Sequence, residues 1–377
     1  MLLTDLNDDE LILIFKKCNE WDLQNIAKVC NLFNVIIEAH FNEIKCRNLL
    51  MVTHLKNYPT IFQRTFQGDM KFSDGLRVHQ NWVLGLCEQL VFFQHRENFT
   101  THLELDQQYL YTASLGEFNI YTRKRRNGIK VQPLFTAGAK NDSMITSLKR
   151  KGEMVAGSRA NGSIFTSTEV EGYGMEFVRD GCDQIVDMNF HDDLFITVTK
   201  NDVTFHRLGT ELDLLTFDTV DTNLSVGGLQ TVNFNPTGEK ILGTCSGTFN
   251  LLNVATGQVV DKSVNKSQIY NIQWISEFSF LYTSWNNPLS LIDTRMGFER
   301  QEFSCGNFTA TAIDFDGRYG AIYGTLLGML VLCDLRNSKT FERVLQIDTP
   351  TVCRRVISDE LHLYASTDNA IYMLNFE

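Results

Sequence analysis

One short pattern returns about every forty residues from residue 113 to the end of the chain. In each copy, small or β-prone residues end one strand, a tight turn follows, and the next strand has alternating apolar residues. The second residues of successive copies are 39 to 46 residues apart. These residues are Ser114, Ser158, Thr199, Cys245, Ser284, Gly324 and Ser366. A period near forty residues, with several strands in each period, is typical of the blades of a β-propeller.

Seven copies predict a mainly β fold, a seven-bladed β-propeller over residues 86–377. A β-sandwich with accidental spacing is the alternative, but the nearly constant interval disfavours it. A four-stranded sheet cannot cover both of its faces alone, whereas stacking around a ring covers them. The last copy has only three strands before the chain reaches Glu377. We therefore expect residues 90–96 to supply its outer strand and to close the ring, which removes a free sheet edge.

Residues 1–46 have the period of a helix and not of a strand. The first apolar stripe, at positions i, i+3, i+4 and i+7, consists of Leu11, Ile14, Phe15 and Cys18. A second helix is predicted to begin at Asp22 as its N-cap, and a third apolar set runs from Leu32 to Phe41. We predict a small three-helix domain at 1–46 and a partly helical connector at 47–85. Three short helices bury little apolar surface by themselves, and we therefore expect the domain to need a partner.

Composition and charge narrow the function classes. Hydrophobic residues are 43% and charged residues 21% of the chain, as in a packed globular protein. The formal net charge of −11 disfavours sequence-independent binding to nucleic acid. No apolar stretch reaches the roughly 20 residues of a membrane-spanning helix, and the N terminus is acidic where a signal peptide is basic. Nine cysteines without a Cys-x-x-Cys pair favour a reducing compartment. An intracellular, cytoplasmic protein with no nucleic-acid or membrane partner is expected.

Signals of catalysis are missing from the sequence. No phosphate-binding loop, nucleophile elbow or zinc-protease motif occurs, and the eight histidines lack metal-ligand spacing. We therefore expect no catalytic residue, no metal site and no cofactor. Two basic runs, 123–126 and 149–151, are interpreted as solvated charges, the second of them in a hairpin turn. A nuclear-localisation signal at 123–126, with the protein also in the nucleus, is the alternative.

The helical region from Leu6 to Ile44 resembles an F-box in the order and spacing of its key residues. The matching positions are Leu6, Glu10, Leu11, Ile14, Phe15, Asp22, Leu23, Ala27, Val29, Cys30, Phe33 and Phe41. Asn7 replaces the family's usual proline. The propeller is similar to a diverged WD-repeat set, in which Asp293 and Asp334 hold the family's aspartate. No Gly-His dipeptide occurs, so the blades are expected to depend on apolar packing. The whole arrangement resembles the F-box/WD-repeat class.

That resemblance implies a non-enzymatic substrate receptor of an SCF-type (cullin–RING) ubiquitin ligase. The F-box would dock on the small Skp-family linker subunit and, through it, on the cullin, while the propeller would bind a protein substrate. The residues expected to bind the linker subunit are Leu6, Leu11, Ile14, Phe15, Leu23, Val29, Cys30 and Phe33. Some of these must instead form the domain's own core. The alternative function is a non-catalytic WD-repeat scaffold without a role in ubiquitination.

By analogy with the family, the substrate is expected at the end of the ring where the turns after the small-residue strands emerge. The candidate residues are Arg159, Lys200, Tyr270, Trp285 and Arg354. Basic side chains from neighbouring blades, with aromatic anchors, would suit an acidic or phosphorylated segment. The competing interpretation is that these are ordinary rim residues.

Overall fold

The computed structural model describes most of the chain. The described residues are 3, 6–41, 72–94, 102–123, 132–138, 142–151, 154–168, 176–179, 184–192, 194–199, 203–207, 229–245, 247–256, 258–264, 267–297, 299–303, 308–317, 319–337, 341–347 and 351–377. They form four α-helices followed by seven antiparallel sheets. None of these helices is long and apolar enough to cross a membrane.

Each sheet is one blade of a β-propeller. Strands are numbered in chain order, and within each blade they are given from the centre outwards. Blade 1 contains β2 (His102–Leu105), β3 (Tyr109–Ser114), β4 (Glu117–Thr122) and β5 (Phe135–Ala137), and blade 2 contains β6 (Ile145–Lys151), β7 (Met154–Arg159), β8 (Ile164–Thr168) and β9 (Glu176–Arg179). The described strands of blade 3 are β10 (Ile185–His191), β11 (Leu194–Thr199) and β12 (Val203–Arg207). Blade 4 contains β13 (Leu229–Phe234), β14 (Lys240–Cys245), β15 (Thr248–Asn253) and β16 (Val259–Val264).

The remaining blades complete the ring. Blade 5 contains β17 (Ile269–Trp274), β18 (Ser279–Ser284), β19 (Leu289–Asp293) and β20 (Glu299–Phe303). Blade 6 contains β21 (Ala310–Phe315), β22 (Gly320–Thr325), β23 (Met329–Asp334) and β24 (Phe341–Gln346). Blade 7 contains β25 (Cys353–Ser358), β26 (His362–Thr367), β27 (Ala370–Asn375) and, as its outer strand, β1 (Glu88–Gln94). The seven-bladed propeller predicted from the repeat is confirmed.

The ring closes by pairing the start of the propeller with its end. Strand β1 runs antiparallel to β27, with Glu88 opposite Asn375 and Gln94 opposite Ala370. The sequence placed this closing strand at 90–96, two residues too far along the chain. Because the first strand completes the last blade, β27 is paired on both sides and is not an edge strand.

Polar side chains hold the turn after several inner strands. Asp106, Asn235, Asp316 and Asp359 follow β2, β13, β21 and β25, and each accepts at least one backbone N–H from its own turn. Such Asx turns fix the reversal between the first and second strands of a blade. His191 and Asp192 lie at the hairpin between β10 and β11, and Asp192 has a positive φ of 49°.

Six of the seven inner strands carry a β-bulge at the same place. In β6, β10, β13, β17, β21 and β25, the register shifts immediately after the first residue of the strand. The unpaired residues include Tyr270 in β17 and Arg354 in β25. A bulge leaves one residue outside the ladder and changes the direction of its side chain.

The N-terminal region forms helices α1 (Asp8–Phe15), α2 (Glu20–Ala27) and α3 (Asn31–His40). Asn7 caps α1 through a capping box, because its Oδ1 accepts the Glu10 N–H at 3.0 Å while the Asn7 N–H donates to Glu10 Oε2 at 3.0 Å. An asparagine therefore begins this helix without the family's proline. The prediction that Asp22 caps α2 was wrong, since Asn19 is the N-cap and accepts the Asp22 N–H at 2.8 Å.

Helix α4 (Phe72–Leu84) attaches the helices to the ring. It lies in the predicted connector, whose residues 47–71 are outside the described part of the chain. The indole of Trp82 is fully buried and stacks on Phe376, with ring centroids 3.7 Å apart. Its Nε1 donates to the carbonyl of Glu360 at 2.9 Å, and Asn81 Nδ2 donates to the carbonyl of Phe376 at 2.8 Å. One apolar cluster runs from α1 through α4 into blades 6 and 7.

Candidate interaction sites

The predicted substrate end of the ring contains the turns between the second and third strands of the blades. Backbone hydrogen bonds join these turns to the starts of inner strands or to the loops that lead into them. Trp285 N donates to Gln268 O at 2.8 Å, and Ile145 N donates to Leu115 O at 2.6 Å. We call this end of the central channel the mouth. Because these bonds bind the turns to the ring, the mouth has a rigid frame.

Two of the predicted substrate-face residues form an aromatic pair at the mouth. The rings of Tyr270 and Trp285 meet edge to face, with centroids 6.3 Å apart and an interplanar angle of 64°. Trp285 is 48% exposed. Burial raises the pKa of the Tyr270 hydroxyl, opposed by the positive charge of Arg354. An exposed tryptophan supported by a second ring is a suitable anchor for a bound peptide.

Arg354 is the third predicted residue at the mouth. Its Nε donates to Asp368 Oδ1 at 2.8 Å, and both side chains are partly exposed. The bulge in β25 places Arg354 outside the ladder, as the bulge in β17 does for Tyr270. The structure therefore brings together Tyr270, Trp285 and Arg354 from blades 5 and 7.

Arg159 does not present a free cation at the mouth, contrary to expectation. Arg159 is only 5% exposed. Nη1 lies 3.3 Å from Asp142 Oδ2, and Nη2 donates to the carbonyl of Gly116 in blade 1 at 3.3 Å. The side chain bridges two blades because a long guanidinium at this turn reaches the neighbouring turn. Lys200 lies outside the described residues.

The basic run 123–126 also differs from expectation. The side chains of Arg123 and Asp359 form a fully buried ion pair, and Arg123 also donates to the carbonyl of Asp106. Arg123 is therefore neither a solvated charge nor accessible to a transport receptor, whereas 124–126 are outside the described residues. The second run is not a hairpin turn either, since Lys149 and Arg150 lie within β6. Arg150 Nε is 3.5 Å from Asp106 Oδ2.

A polar cavity of about 200 Å³ occupies the channel below the mouth. Its walls come from all seven inner strands, and its ionisable lining residues are His102, Glu104, Lys149, Asp187, Tyr270, Asp314 and Arg355. Burial lowers the pKa of His102 well below its usual value, and the charges of Arg355 and Lys149 lower it further. Sequence reasoning missed this cavity. Charged residues inside otherwise apolar inner strands, such as Glu104 and Arg355, were the available signal.

The predicted linker-binding residues fall into two groups. Leu11, Phe15, Leu23 and Phe33 are at most 4% exposed and belong to the internal core. The rings of Phe15 and Phe33 meet edge to face with centroids 5.4 Å apart. Leu6 and Cys30 are half-buried against the same core.

Other apolar side chains of the helices remain exposed. Among the predicted residues, Ile14 is 40% and Val29 is 71% exposed. Three residues outside the predicted linker-binding set are also exposed: Leu13, Leu32 and Val35. We call these five residues the helical apolar patch. Val29, Leu32 and Val35 recur every three residues, so Leu32 and Val35 are neighbours on one face of α3.

Comparisons with known proteins inform the fold alone. No family model matches the chain, and no curated protein matches it. Among solved structures, the computationally designed Ika8 protein is 15% identical, with a TM-score of 0.54 over 73% of this chain and 83% of that one. In all, 1639 solved chains resemble this fold. A fold shared so widely does not indicate a function.

Proposed function

We propose that this chain is the substrate-recognition subunit of an SCF-type ubiquitin ligase. In this proposal α1–α3 act as an F-box that docks on a Skp-family linker subunit and thereby on a cullin, and the propeller binds a protein substrate. The observation that carries the proposal is the helical apolar patch, which stays exposed although the same helices share a core with the ring. A cluster of exposed apolar residues on a small domain is typical of a protein-interaction site.

The chain itself performs no chemistry in this proposal. It raises the effective concentration of a substrate beside the subunits that transfer ubiquitin. That role requires a fixed distance between the docking surface and the substrate site. The packing of Trp82 against Phe376 supports this requirement, because it joins the helices to blade 7.

Within the F-box/WD-repeat class, the segment 80–85 and the C-terminal sequence 351–376 most resemble dactylin. Segment 80–85 contains Trp82, and 351–376 contains Phe376, so the two segments contact each other in the structure. The proposal includes this closer relationship on the sequence resemblance alone. The chain would act in the cytoplasm.

The substrate site of the proposal is the mouth, with Tyr270, Trp285 and Arg354 as its contact residues. The pair Arg159 and Lys200 no longer supports an acidic or phosphorylated substrate, because the guanidinium of Arg159 is engaged between blades. The aromatic pair favours a peptide with an apolar group, and Arg354, although it pairs with Asp368, is partly exposed and adds a positive charge beside it.

Linker docking is tested by placing a charge in the helical apolar patch. Ile14→Asp and Val29→Asp should each reduce co-purification of the linker subunit and the cullin at least tenfold, because a carboxylate would be buried at the interface. The folded propeller should be unaffected, since both side chains are exposed. Val260→Asp is a matched control, because Val260 is 59% exposed on the outer strand of blade 4.

Capture by the Ile14→Asp and Val29→Asp variants at the wild-type level would contradict the docking proposal. If docking holds, ubiquitin-remnant profiling after depletion separates a receptor from a scaffold. A receptor's substrates should lose ubiquitin and accumulate, whereas a scaffold would leave both unchanged.

A further inference from the structure

The cavity below the mouth contains a guanidinium with no protein partner. Arg355 lines the cavity, and within the described part of the chain its side chain donates no hydrogen bond and forms no ion pair. Asp187 and Glu104 are near enough for their charges to act on it. A guanidinium offers five N–H donors in a planar fork that matches two oxygens of one acid group.

The acids of the cavity wall are already engaged. Asp187 Oδ2 accepts the Val232 N–H at 3.0 Å, and its Oδ1 accepts the Met188 N–H at 2.9 Å. Asp314 Oδ2 accepts both the N–H and the hydroxyl of Ser358 at 2.6 Å. These bonds join blade 3 to blade 4 and blade 6 to blade 7. The two carboxylates therefore stabilise the ring and leave the fork of Arg355 for a ligand.

The size of the cavity limits what can enter. About 200 Å³ is less than the roughly 300–1,000 Å³ of an ordinary small-molecule pocket. Arg355 pairs with Ser366, one step further along β25 than the bulge residue Arg354 at the mouth. Tyr270 lines the same cavity as this guanidinium. An internal peptide segment that folds back on itself needs room for two stretches of backbone, whereas a chain end needs room for one.

The charge of the cavity favours one negative charge over two. Glu104, Asp187 and Asp314 line it together with Lys149 and Arg355. The three carboxylates repel any anion, and they repel a phosphate group, which carries about −1.5 to −2 at pH 7, more strongly than a group with a single charge. A terminal carboxylate, with an ordinary pKa of about 3.3–3.7, carries a single charge and presents two oxygens to the fork.

We propose that the channel cavity binds the C-terminal carboxylate of a protein chain, with Arg355 as its main partner and with Tyr270 and Trp285 packing against the residues that precede it. This inference rests on the proposed function for its biological meaning: the substrate would be recognised by its free C terminus. The binding chemistry itself needs no ligase subunit.

Selection of peptides by the full chain tests the inference. A display library of random peptides with free C termini is selected on the wild-type protein, and the enriched sequences are synthesised as free acids, as C-terminal amides and with one added residue. Amidation should weaken binding at least tenfold, because it removes the charge that Arg355 meets. Equal binding by acid and amide, or failure to enrich any sequence, would overturn the inference.

Variants identify the partner of the carboxylate. Arg355→Leu should abolish binding of the free acid, and Arg355→Lys should retain part of it, since a lysine keeps the charge without the fork. Arg295→Gln is the control, because Arg295 is an exposed side chain in the turn after the third strand of blade 5, at the end of the ring away from the mouth. If Arg355→Leu does not fold, Arg355→Lys alone decides: affinity equal to the wild type would overturn the assignment.

The two proposals fail separately. A chain that co-purifies with the linker subunit but does not distinguish acid from amide refutes only the carboxylate site. A chain that prefers the acid but never captures the linker subunit refutes only the ligase role. Enrichment of internal glutamate, with no effect of amidation, would show that the cavity binds acidic side chains. That result would overturn the proposal that it binds a C-terminal carboxylate.

Discussion

At the scale of single residues, the small positions of the repeat are determined by close packing. A Cβ on Gly324 would lie 2.3 Å from Cys353 Sγ in the next blade, and one on Gly157 would lie 2.1 Å from the ring of Phe165. Ser158, Ser284 and Ser366 are fully buried. The repeat therefore has small residues at these positions because side chains or neighbouring strands approach them closely.

The first prediction concerns the contact between Gly324 and Cys353. Gly324→Ala should lower the free energy of unfolding by about 1–3 kcal/mol, because the added methyl group overpacks the space between blades 6 and 7. Adding Cys353→Ala should recover part of this loss, since it removes the sulfur that the methyl group meets. Denaturant unfolding of both single variants and the double variant gives the coupling energy. Simple additivity would contradict the packing explanation.

The aspartates that match the WD-repeat pattern have a local role. Asp293 accepts from the backbone N–H of Arg295 at 2.9 Å and binds its guanidinium, and Asp334 binds Arg336 in the same way. The hydrogen bond from the Arg295 side chain lowers the pKa of Asp293. Each arginine also lies over an aromatic ring, Phe278 or Tyr319. These aspartates thus hold the turn after the third strand without the family's histidine and tryptophan.

At the scale of secondary-structure elements, α4 determines how the N-terminal helices sit on the ring. Its Trp82 contacts Phe376, the penultimate residue of the chain, and the carbonyl of Glu360 in blade 7. Leu76 and Val78 of α4 belong to the same apolar cluster as residues of α1–α3. The helix thereby connects two units that the sequence distinguishes by their different periods.

We expect Trp82→Ala to loosen this connection. Loss of a fully buried indole should cost about 3–5 kcal/mol. Amide hydrogen exchange should then increase in α4 and in 360–376 while the strands of blades 2–5 keep their protection. Trp285→Ala is the matched control, because Trp285 is 48% exposed and touches no helix cluster. Equal effects of the two substitutions would mean that α4 is not anchored by Trp82.

At the scale of the whole molecule, the junction between blades 1 and 7 closes the ring with buried charges. Arg123, next to β4 of blade 1, pairs with Asp359 of blade 7, and neither side chain is exposed. His362 lies beside them, with Nδ1 3.3 Å from Asp359 Oδ1. Burial, followed by the charge of Arg123, lowers the pKa of His362 to about 4, although Glu377 opposes the shift.

This junction should weaken in mild acid. Because the ordinary pKa of histidine is about 6.5, the unfolded chain binds a proton at His362 below that pH while the folded chain does not. The free energy of unfolding should therefore fall by about 2 kcal/mol from pH 6.5 to pH 5 through this residue. His362→Gln should flatten the curve over that range. Coincident slopes for the wild type and the variant would show that His362 does not contribute.

Much of the fold follows from the sequence because its signals are local. The aligned small residues of the repeat all lie at the last or second-to-last residue of the second strand of a blade. The repeat set the number of blades, and an incomplete last blade located the closing strand. The candidate site was only partly predictable. Tyr270 and Trp285 form an aromatic pair and the charge of Arg354 acts on Tyr270, whereas the bulge that displaces Tyr270 and Arg354 has no simple sequence signal.

The sequence by itself determined the two periods, the seven blades and the order of helices before strands, since each depends on residues close together in the chain. Only the tertiary structure decided that Leu11 is core while Val29 is exposed, that Arg159 and Arg123 bridge blades, and that Arg355 lines a cavity. The physical reason is that burial and ion pairing depend on what lies opposite in space. For Trp82 and Arg123, those partners are more than two hundred residues away along the chain.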